Sequence, residues 1–414
     1  MITEEKQFDN KKAYLTILVA ALGYFVDIYD LLLFSIVRKP SLKDLKVPDD
    51  QLANVGLLLL DWQMVGLLIG GFFWGIMGDK KGRLSVLFGS ILMYSLANLA
   101  NGFVQDIETY KVLRFVAGIG LAGELGAGIT LVSEMMSKEK RAYGTTIMTC
   151  IGILGAVLAY FVSQIWDWRF AYIFGGVLGL ALLLLRVSLS ESGFFKSTVD
   201  QHVSRGNFFA LLKSKTLFFK YLYCNMLGLL TWFVIGILVT LSPEIAKNCF
   251  GMTAEISGGK AIMWCYLGTS LGDLVSGLLS QILKSRKKSL WIFVVMSVFA
   301  IMFYLMSDST TTANMLYAKI AFLGFAVGYW ALFVSVSSEH FGTNLRATVT
   351  TTVPNFARAF LIPVSMLYYV LRNQVSILES LIILACFCSV LVFIGLYNIE
   401  ETYAKDLDFI EEEG

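Results

Sequence analysis

Two charged strings, Glu134-Met-Met-Ser-Lys-Glu-Lys-Arg141 and Glu339-His-Phe-Gly-Thr-Asn-Leu-Arg346, indicate the fold class of this chain. Each follows a long apolar stretch and separates a glutamate from an arginine by the same interval, and the two lie half a chain apart. Upstream of them lie two more basic junctions, Gly78-Asp-Lys-Lys-Gly-Arg83 and Ser280-Gln-Ile-Leu-Lys-Ser-Arg-Lys287. Matched charged junctions between apolar stretches are typical of a membrane transporter built from two repeats.

The composition agrees with a membrane protein. The 414 residues are 57% hydrophobic and 15% charged, which argues against a soluble globule. A transmembrane helix needs about 20 mostly apolar residues, and such stretches recur along nearly the whole chain. We predict an all-α membrane protein with twelve transmembrane helices, at 13–37, 54–78, 84–103, 109–135, 142–164, 168–189, 217–242, 259–283, 289–307, 313–337, 345–371 and 376–397.

The longest polar stretch lies near the middle of the chain and has too few apolar residues to fold alone. The sequence therefore predicts two pseudo-symmetric six-helix bundles, at residues 1–190 and 216–399. A cytoplasmic linker at 191–215 would join them, and an acidic cytoplasmic tail would cover 400–414.

Basic residues concentrate in the loops of one parity, which places both termini in the cytoplasm by the positive-inside bias. The loop after the first predicted span, with Arg38 and Lys39, is the exception. No small-residue cleavage site follows the first apolar run, so we expect no cleaved signal peptide. The six cysteines lack metal or disulfide spacing, so we predict neither a metal nor another cofactor.

Two enzyme-like motifs lie in the wrong context. Gly118-Ile-Gly-Leu-Ala-Gly123 matches a dinucleotide fingerprint, and Gly268-Thr-Ser-Leu-Gly272 matches a nucleophile elbow. Both lie inside apolar spans rather than at a strand-to-helix turn, so we interpret them as packing glycines and predict no enzyme activity. A net charge of +2 gives no reason to expect a nucleic acid partner.

Ionisable side chains at membrane depth are costly and are functional candidates by default. Asp27 and Asp30 fall near the middle of the first span, on the same side of the helix, and Glu124 falls near the middle of the fourth. Carboxylates that share a dry site do not both ionise cheaply, so one of them can carry a proton. We predict proton coupling at Asp27, Asp30 and Glu124; the alternative is that these charges pair and fix helix register.

Arg358 is the strongest cation at mid-depth in the second half, and its planar fork suits an anionic substrate. Asp273 lies at similar depth, and an internal pair with Arg358 is the alternative. The substrate-binding residues that we predict are Arg358, Asp273, Tyr24, Trp232, Tyr329 and Trp330.

The chain resembles the major facilitator superfamily. Gly78–Arg83 is similar to its cytoplasmic signature, Arg114-Phe-Val-Ala-Gly-Ile-Gly120 to its second signature, and the two glutamate–arginine strings to its inner gate clusters. Gly23-Tyr-Phe-Val-Asp-Ile-Tyr-Asp30 and Gly120-Leu-Ala-Gly-Glu124 resemble metabolite:proton symporters, and the first also resembles phosphate:proton symporters. Residues 346–363, with Arg358, resemble the organic-ion transporters.

The resemblance implies rocker-switch alternating access with the substrate held between the two bundles. It implies a cytoplasmic gate formed by Asp79, Arg83, Glu134, Arg141, Glu339 and Arg346. We predict a monomeric, proton-coupled importer of a small organic anion in a bacterial-type inner membrane. Two alternatives stay open: a carrier of a cationic or zwitterionic metabolite that uses the mid-membrane carboxylates, and a membrane sensor that does not transport.

Overall fold

The computed structural model describes residues 10–135, 141–185, 208–405 and 409–411, and within these ranges the chain is helical without strands. The first half contains α1 (Asn10–Asp44), α2 (Leu52–Lys81), α3 (Arg83–Asn101), α4 (Ile107–Leu121), α5 (Glu124–Met135), α6 (Arg141–Ile153), α7 (Gly155–Ile165) and α8 (Trp168–Leu185).

The second half begins with α9 (Phe208–Lys213), which falls within the predicted linker, and α10 (Lys215–Leu227). Then come α11 (Leu229–Phe233), a π-helical segment (Val234–Val239), α12 (Ser242–Asn248), α13 (Gly258–Ile282), α14 (Arg286–Leu305), α15 (Ala313–Ala326), α16 (Trp330–Glu339), α17 (Arg346–Ala359), α18 (Leu361–Leu371) and α19 (Ile377–Asn398). Residues 186–207, which include residues 191–207 of the predicted linker, lie outside the described residues, and the domain boundaries stay a prediction.

The bundle has two ends, and the contacts between elements define them. The end of α2 contacts the start of α17. Glu401 contacts the start of α14, and Phe409 contacts the loop before α17. We call this the tail end. At the opposite end, the far end, late α1 contacts α12, and the start of α2 contacts the end of α18.

Eleven stretches of the described residues are long and apolar enough to cross a membrane. The one predicted span that does not qualify, 345–371, is divided into α17 and α18 at Phe360, and α17 is polar. Yet every α17 residue except Phe356 is buried. Two of its threonine hydroxyls hydrogen-bond to carbonyls of the same helix: Thr350 donates to the Arg346 carbonyl and Thr352 to the Thr348 carbonyl. A polar helix is therefore tolerated because protein, not lipid, surrounds it.

Helix α1 is longer than the sequence predicts. The expected span ends at residue 37, but the helix continues to Asp44 and carries Arg38 as a buried helical residue. The Arg38 guanidinium is neutralised by Glu244 of α12, at 2.8 Å. The prediction that Arg38 lies in a loop is therefore wrong, because an ion pair with a distant element was invisible in the local sequence.

The enzyme-like glycine motifs pack helices together. A Cβ at Gly118 would lie 2.2 Å from the Gln63 carbonyl oxygen of α2, and one at Gly268 would lie 2.0 Å from the Ala321 carbonyl oxygen of α15. Small residues at such positions let helix backbones approach closely in a membrane.

Candidate functional site

The candidate site is a small cavity between the two halves of the chain. Its volume is about 20 Å³, enough for about one water molecule. The first half contributes α1 and α6, and the second half contributes α11, the π-helical segment, α13, α16 and α17. The cavity is lined by Tyr24, Ile28, Ile153, Thr231, Trp232, Ile235, Tyr266, Thr269, Trp330 and Arg358.

Arg358 provides the positive charge of this cavity. Its Nη1 donates to Asn355 Oδ1 at 3.1 Å, one turn earlier on α17. Its guanidinium carbon lies 5.8 Å from the ring centroid of Trp232 and 5.6 Å from that of Trp330, within cation–π range. Arg358 Nε has no hydrogen-bond partner among the described residues, and no salt bridge joins Arg358 to Asp273 there.

Tyr24 links the charges of the two halves. Its hydroxyl is buried in the cavity wall, where it feels the charges of Arg358, Asp27 and Asp273 and hydrogen-bonds with Trp330. The indoles of Trp232 and Trp330 pack edge to face, with ring centroids 6.3 Å apart. The predicted residues Tyr24, Trp232, Trp330 and Arg358 therefore meet at one cavity.

Asp273 and Tyr329 lie next to this cavity and stabilise a helix break. The α15–α16 span is interrupted at residues 327–329, which leaves the first N–H groups of α16 without helical partners. Asp273 Oδ1 accepts the N–H of Ala331 at 3.0 Å, and the Tyr329 hydroxyl donates to the Leu227 carbonyl at 3.1 Å. Neither residue lines the cavity in the described part of the chain, so their geometry indicates positioning of Trp330.

Asp30 is buried in a polar pocket inside the first half. The charge of Arg114 acts on its carboxylate, with Asn98 beside it. Arg114 Nη2 donates to Asn98 Oδ1 at 2.9 Å, and its guanidinium carbon lies 5.0 Å from the Tyr172 ring centroid. The sequence did not identify this partner of Asp30, since Arg114 and Asp30 lie on different helices and their spacing in the chain gives no signal.

Glu124 is fully buried at the start of α5. The fourth predicted span is broken at Ala122 and Gly123, so Glu124 occupies the first turn of a new helix. A carboxylate there is favoured by the positive end of the helix dipole. Asp27 is also fully buried, one turn from Tyr24 on α1.

At the tail end, Asp79 of α2 binds the N-terminus of α17. Its carboxylate accepts the N–H of Ala347 at 3.1 Å, the N–H of Thr348 at 2.7 Å and the Thr348 hydroxyl at 2.6 Å. These bonds join the first half to the second. Asp79 thus contacts the residues directly after Arg346, a predicted gate residue.

A second tail-end cluster lies within the second half. Glu339 forms a buried salt bridge with Arg286, at 3.2 Å, and Arg286 Nη1 also donates to Ser280 Oγ at 2.9 Å. Arg346 Nη1 donates to Thr343 Oγ1 at 3.2 Å. Arg286 is not among the gate residues predicted from the sequence. The side chains of Arg83, Glu134 and Arg141 lie outside the described residues.

At the far end, contacts that the sequence did not predict also join the halves. Besides its ion pair with Glu244, Arg38 donates to the Thr240 carbonyl at 3.3 Å. The Ser365 hydroxyl of α18 lies 2.8 Å from Asp61 Oδ2 of α2. The halves therefore touch at both ends of the bundle, with the cavity enclosed between them.

Comparisons with known proteins agree with this architecture. The Major Facilitator Superfamily model matches residues 20–360. A putative niacin/nicotinamide transporter, NiaP, of Bacillus subtilis (strain 168) is 24% identical over 82% of this chain and 84% of its own length. A gentisate transporter of Corynebacterium glutamicum is 26% identical over 62% and 59%, respectively.

The solved structure of the proton:xylose symporter XylE, bound to 6-bromo-6-deoxy-D-glucose, has the same fold. Its TM-score is 0.76 at 15% sequence identity, with 97% of this chain and 98% of that chain covered. The predicted all-α membrane fold is thereby confirmed. The family and the curated relatives are membrane transporters, not enzymes. This chain is an integral membrane transport protein and belongs to the Major Facilitator Superfamily.

Proposed function

We propose that this chain is a proton-coupled symporter that imports a small organic anion by rocker-switch alternating access. It works as a monomer in a bacterial-type inner membrane, with its tail end in the cytoplasm. The observation that carries the proposal is the guanidinium of Arg358, buried against a pair of indoles at the interface of the halves. The relatives named for niacin and gentisate, both aromatic carboxylic acids, support the same substrate class.

A buried arginine without a carboxylate partner is costly, and a bound anion removes that cost. The guanidinium presents a planar fork that holds a carboxylate through two parallel hydrogen bonds. Trp232, Trp330 and Tyr24 offer ring faces and edges for the apolar part of the substrate. An aromatic carboxylate satisfies both features of the cavity.

The buried carboxylates of the first half supply the proton sites. Asp30 faces Arg114, while Asp27 acts on Tyr24 in the cavity wall and Glu124 is fully buried at the start of α5. A proton on one of them neutralises a charge that is expensive to bury, and a substrate anion at Arg358 neutralises another. Each binding event then favours the closed bundle, so proton and substrate raise each other's affinity.

Alternating access follows from the size of the cavity. A space of about 20 Å³ cannot hold an aromatic acid, so binding requires the halves to separate at one end. Breaking the Asp79 contacts opens the tail end, and breaking the Arg38–Glu244 pair opens the far end. The closed form described above is then an intermediate between the two open forms.

The test is substrate-induced pH change in proteoliposomes, across a panel of aromatic and aliphatic acids, phosphate, sugars and amines. We expect one class of anion to alkalinise the external medium as it enters with protons. Arg358→Ala should lower uptake of that anion about a hundredfold, since a buried charge-assisted contact contributes about 3 kcal/mol. Arg358→Lys keeps the charge but loses the fork, so we expect a smaller loss.

Arg169→Ala is the matched control, because this arginine pairs with Asp44 at the far end and does not line the cavity. Its uptake should equal that of the unmodified protein. A pH response to amines alone, retained in Arg358→Ala, would show that the substrate is a cation. Uptake of an anion without any pH change would exclude proton symport.

A further inference from the structure

A second pocket, distinct from the central cavity, opens at the tail end between α10, α16 and α19. Its volume is about 370 Å³. The residues that matter for its chemistry are Lys215, Phe219, Lys220, Tyr223, His340 and Glu400. All belong to the second half, and the transport cycle proposed above uses none of them.

His340 supplies an unused hydrogen-bond acceptor to this pocket. The residue is 1% exposed, and its Nδ1 lies 2.8 Å from the Val336 carbonyl. A carbonyl only accepts, so Nδ1 carries the proton and Nε2 has a free lone pair. Burial lowers the pKa of His340, which keeps the ring neutral. Nε2 is buried and has no hydrogen-bond partner among the described residues, so a donor group that reaches it from the pocket would satisfy it.

The two lysines supply positive charge. Lys215, in the first turn of α10, is exposed and makes no ion pair in the described part of the chain. Lys220 Nζ lies 3.4 Å from the His340 carbonyl and 3.6 Å from Glu411 Oε1. An ammonium has three donors, so Lys220 retains one for a ligand. Lys215 at the start of α10 and Lys220 in its second turn supply donors that suit a phosphate.

The mixed charges of the pocket define the ligand further. Glu400 and His340 Nε2 are acceptors, whereas Lys215 and Lys220 are donors. A ligand that carries one phosphate and hydroxyl groups matches both sets: the phosphate pairs with the lysines, and the hydroxyls donate to the carboxylate and the imidazole. A simple inorganic anion leaves both acceptors unused.

The surroundings point to a lipid rather than a soluble metabolite. Around this end of the bundle, large apolar side chains are exposed, among them Phe218 at 37%, Phe219 at 39% and Tyr397 at 75%. Tyrosine, as at Tyr397, is enriched at the level of lipid headgroups, and the exposed phenyl rings suit the acyl chains beside it. With the tail end in the cytoplasm, an orientation that rests on the proposed function, the pocket is of the kind that binds anionic headgroups between helices.

We propose that the pocket between α10, α16 and α19 binds an anionic phospholipid whose headgroup carries hydroxyl groups, of the phosphatidylglycerol type. The phosphate binds Lys215 and Lys220, one hydroxyl donates to His340 Nε2, and another donates to Glu400. The bound lipid would hold α10 and α19 against the loop that follows α16, next to the Glu339–Arg286 pair.

Native mass spectrometry of the full-length protein tests the proposal by titration with three lipids. These are phosphatidylglycerol, phosphatidylethanol (the same charge without hydroxyls) and phosphatidylcholine. We expect phosphatidylglycerol to bind most tightly. Lys215→Ala should weaken its binding about fivefold, whereas Lys213→Ala should leave it unchanged, because Lys213 is exposed at the same end but does not line the pocket.

His340→Ala separates the hydroxyl contact from the charge. It should remove the preference for phosphatidylglycerol over phosphatidylethanol while binding of phosphatidylethanol stays the same, which also shows that the variant is folded. Equal binding of phosphatidylglycerol and phosphatidylcholine would overturn the proposal. So would equal affinities in Lys215→Ala and Lys213→Ala. Displacement of the lipid by equimolar glycerol 3-phosphate would assign the pocket to a soluble phosphate instead.

Discussion

The carboxylate of Asp30 is buried inside the first half, where the positive charge of Arg114 acts on it. We predict that Asp30→Asn lowers the accumulation of substrate against its gradient at least tenfold, because asparagine cannot take up and release a proton. Exchange of substrate across the membrane should continue, since Arg358 and the cavity are unchanged. The measurement compares pH-driven uptake with counterflow exchange in proteoliposomes.

Asp106→Asn is the control for this prediction. Asp106 is an exposed N-cap whose Oδ1 accepts the N–H of Thr109 at 2.8 Å, outside the membrane-spanning helices. Asparagine is also a good N-cap, so both activities should survive. If Asp30→Asn loses exchange as completely as accumulation while remaining folded, Asp30 is part of the substrate path or of the fold rather than a proton carrier.

The buried charged residues could be predicted from the sequence, but their partners could not. The cost of burying charge was enough to identify Asp27, Asp30, Glu124 and Arg358 as buried groups, and all four are buried. Their partners depend on which helices are neighbours. The spacing along the chain therefore does not indicate that Arg114 lies beside Asp30 of another helix. The capping of α16 by Asp273 was hidden for the same reason.

Among the elements, α5 and α17 form a close contact between the halves at Gly126. A Cβ there would lie 2.3 Å from Thr351 Oγ1 and 2.5 Å from Thr351 Cα. We predict that Gly126→Ala forces these helices apart and disfavours closure of the tail end, with at least a tenfold loss of transport. Cysteine labelling at the α5–α17 contact should become faster, and the melting temperature should fall.

Gly128→Ala is the matched comparison, two residues along the same helix. Its added Cβ would meet the terminal methyl of Met148, at 2.6 Å, and a flexible side chain of this kind can move aside. We expect near-normal transport. Equal effects of the two substitutions would mean that helix α5 tolerates no added methyl anywhere, and that the α17 contact has no special role in closure.

The transmembrane helices could be predicted from the sequence where a long apolar stretch marks them. Eleven of the predicted spans coincide with stretches that qualify by length and composition. The predicted span 345–371 does not qualify by these criteria, because the threonines and arginines of α17 face protein instead of lipid. The breaks at Gly123 and at residues 327–329 were not predicted, since their stabilisation comes from other helices.

In the whole molecule, two sets of contacts of unequal strength close the bundle. At the tail end, the buried Asp79 carboxylate accepts three hydrogen bonds across the halves. At the far end, the Arg38–Glu244 pair is partly solvated, with the Glu244 side chain 23% exposed. Charge-assisted bonds to a buried carboxylate are stronger than an ion pair that water reaches. The tail end should therefore be the harder end to open.

Because the two ends differ in strength, we predict that two variants shift the equilibrium between the open forms in opposite directions and by different amounts. Asp79→Asn should favour opening of the tail end by about 2 kcal/mol, or about thirtyfold. Glu244→Gln should favour opening of the far end by about 1 kcal/mol, or about fivefold.

Cysteine probes at Ser335, which contacts Thr145, and at Ile36, which packs on Gly259, report the two ends in a background without native cysteines. Asp79→Asn should accelerate labelling at the Ser335 probe and slow it at the Ile36 probe, since the ends do not open together in alternating access. Glu244→Gln should do the reverse. Faster labelling of both probes in one variant would mean that its halves loosen as a whole, and rocker-switch exchange between two open forms would have to be abandoned.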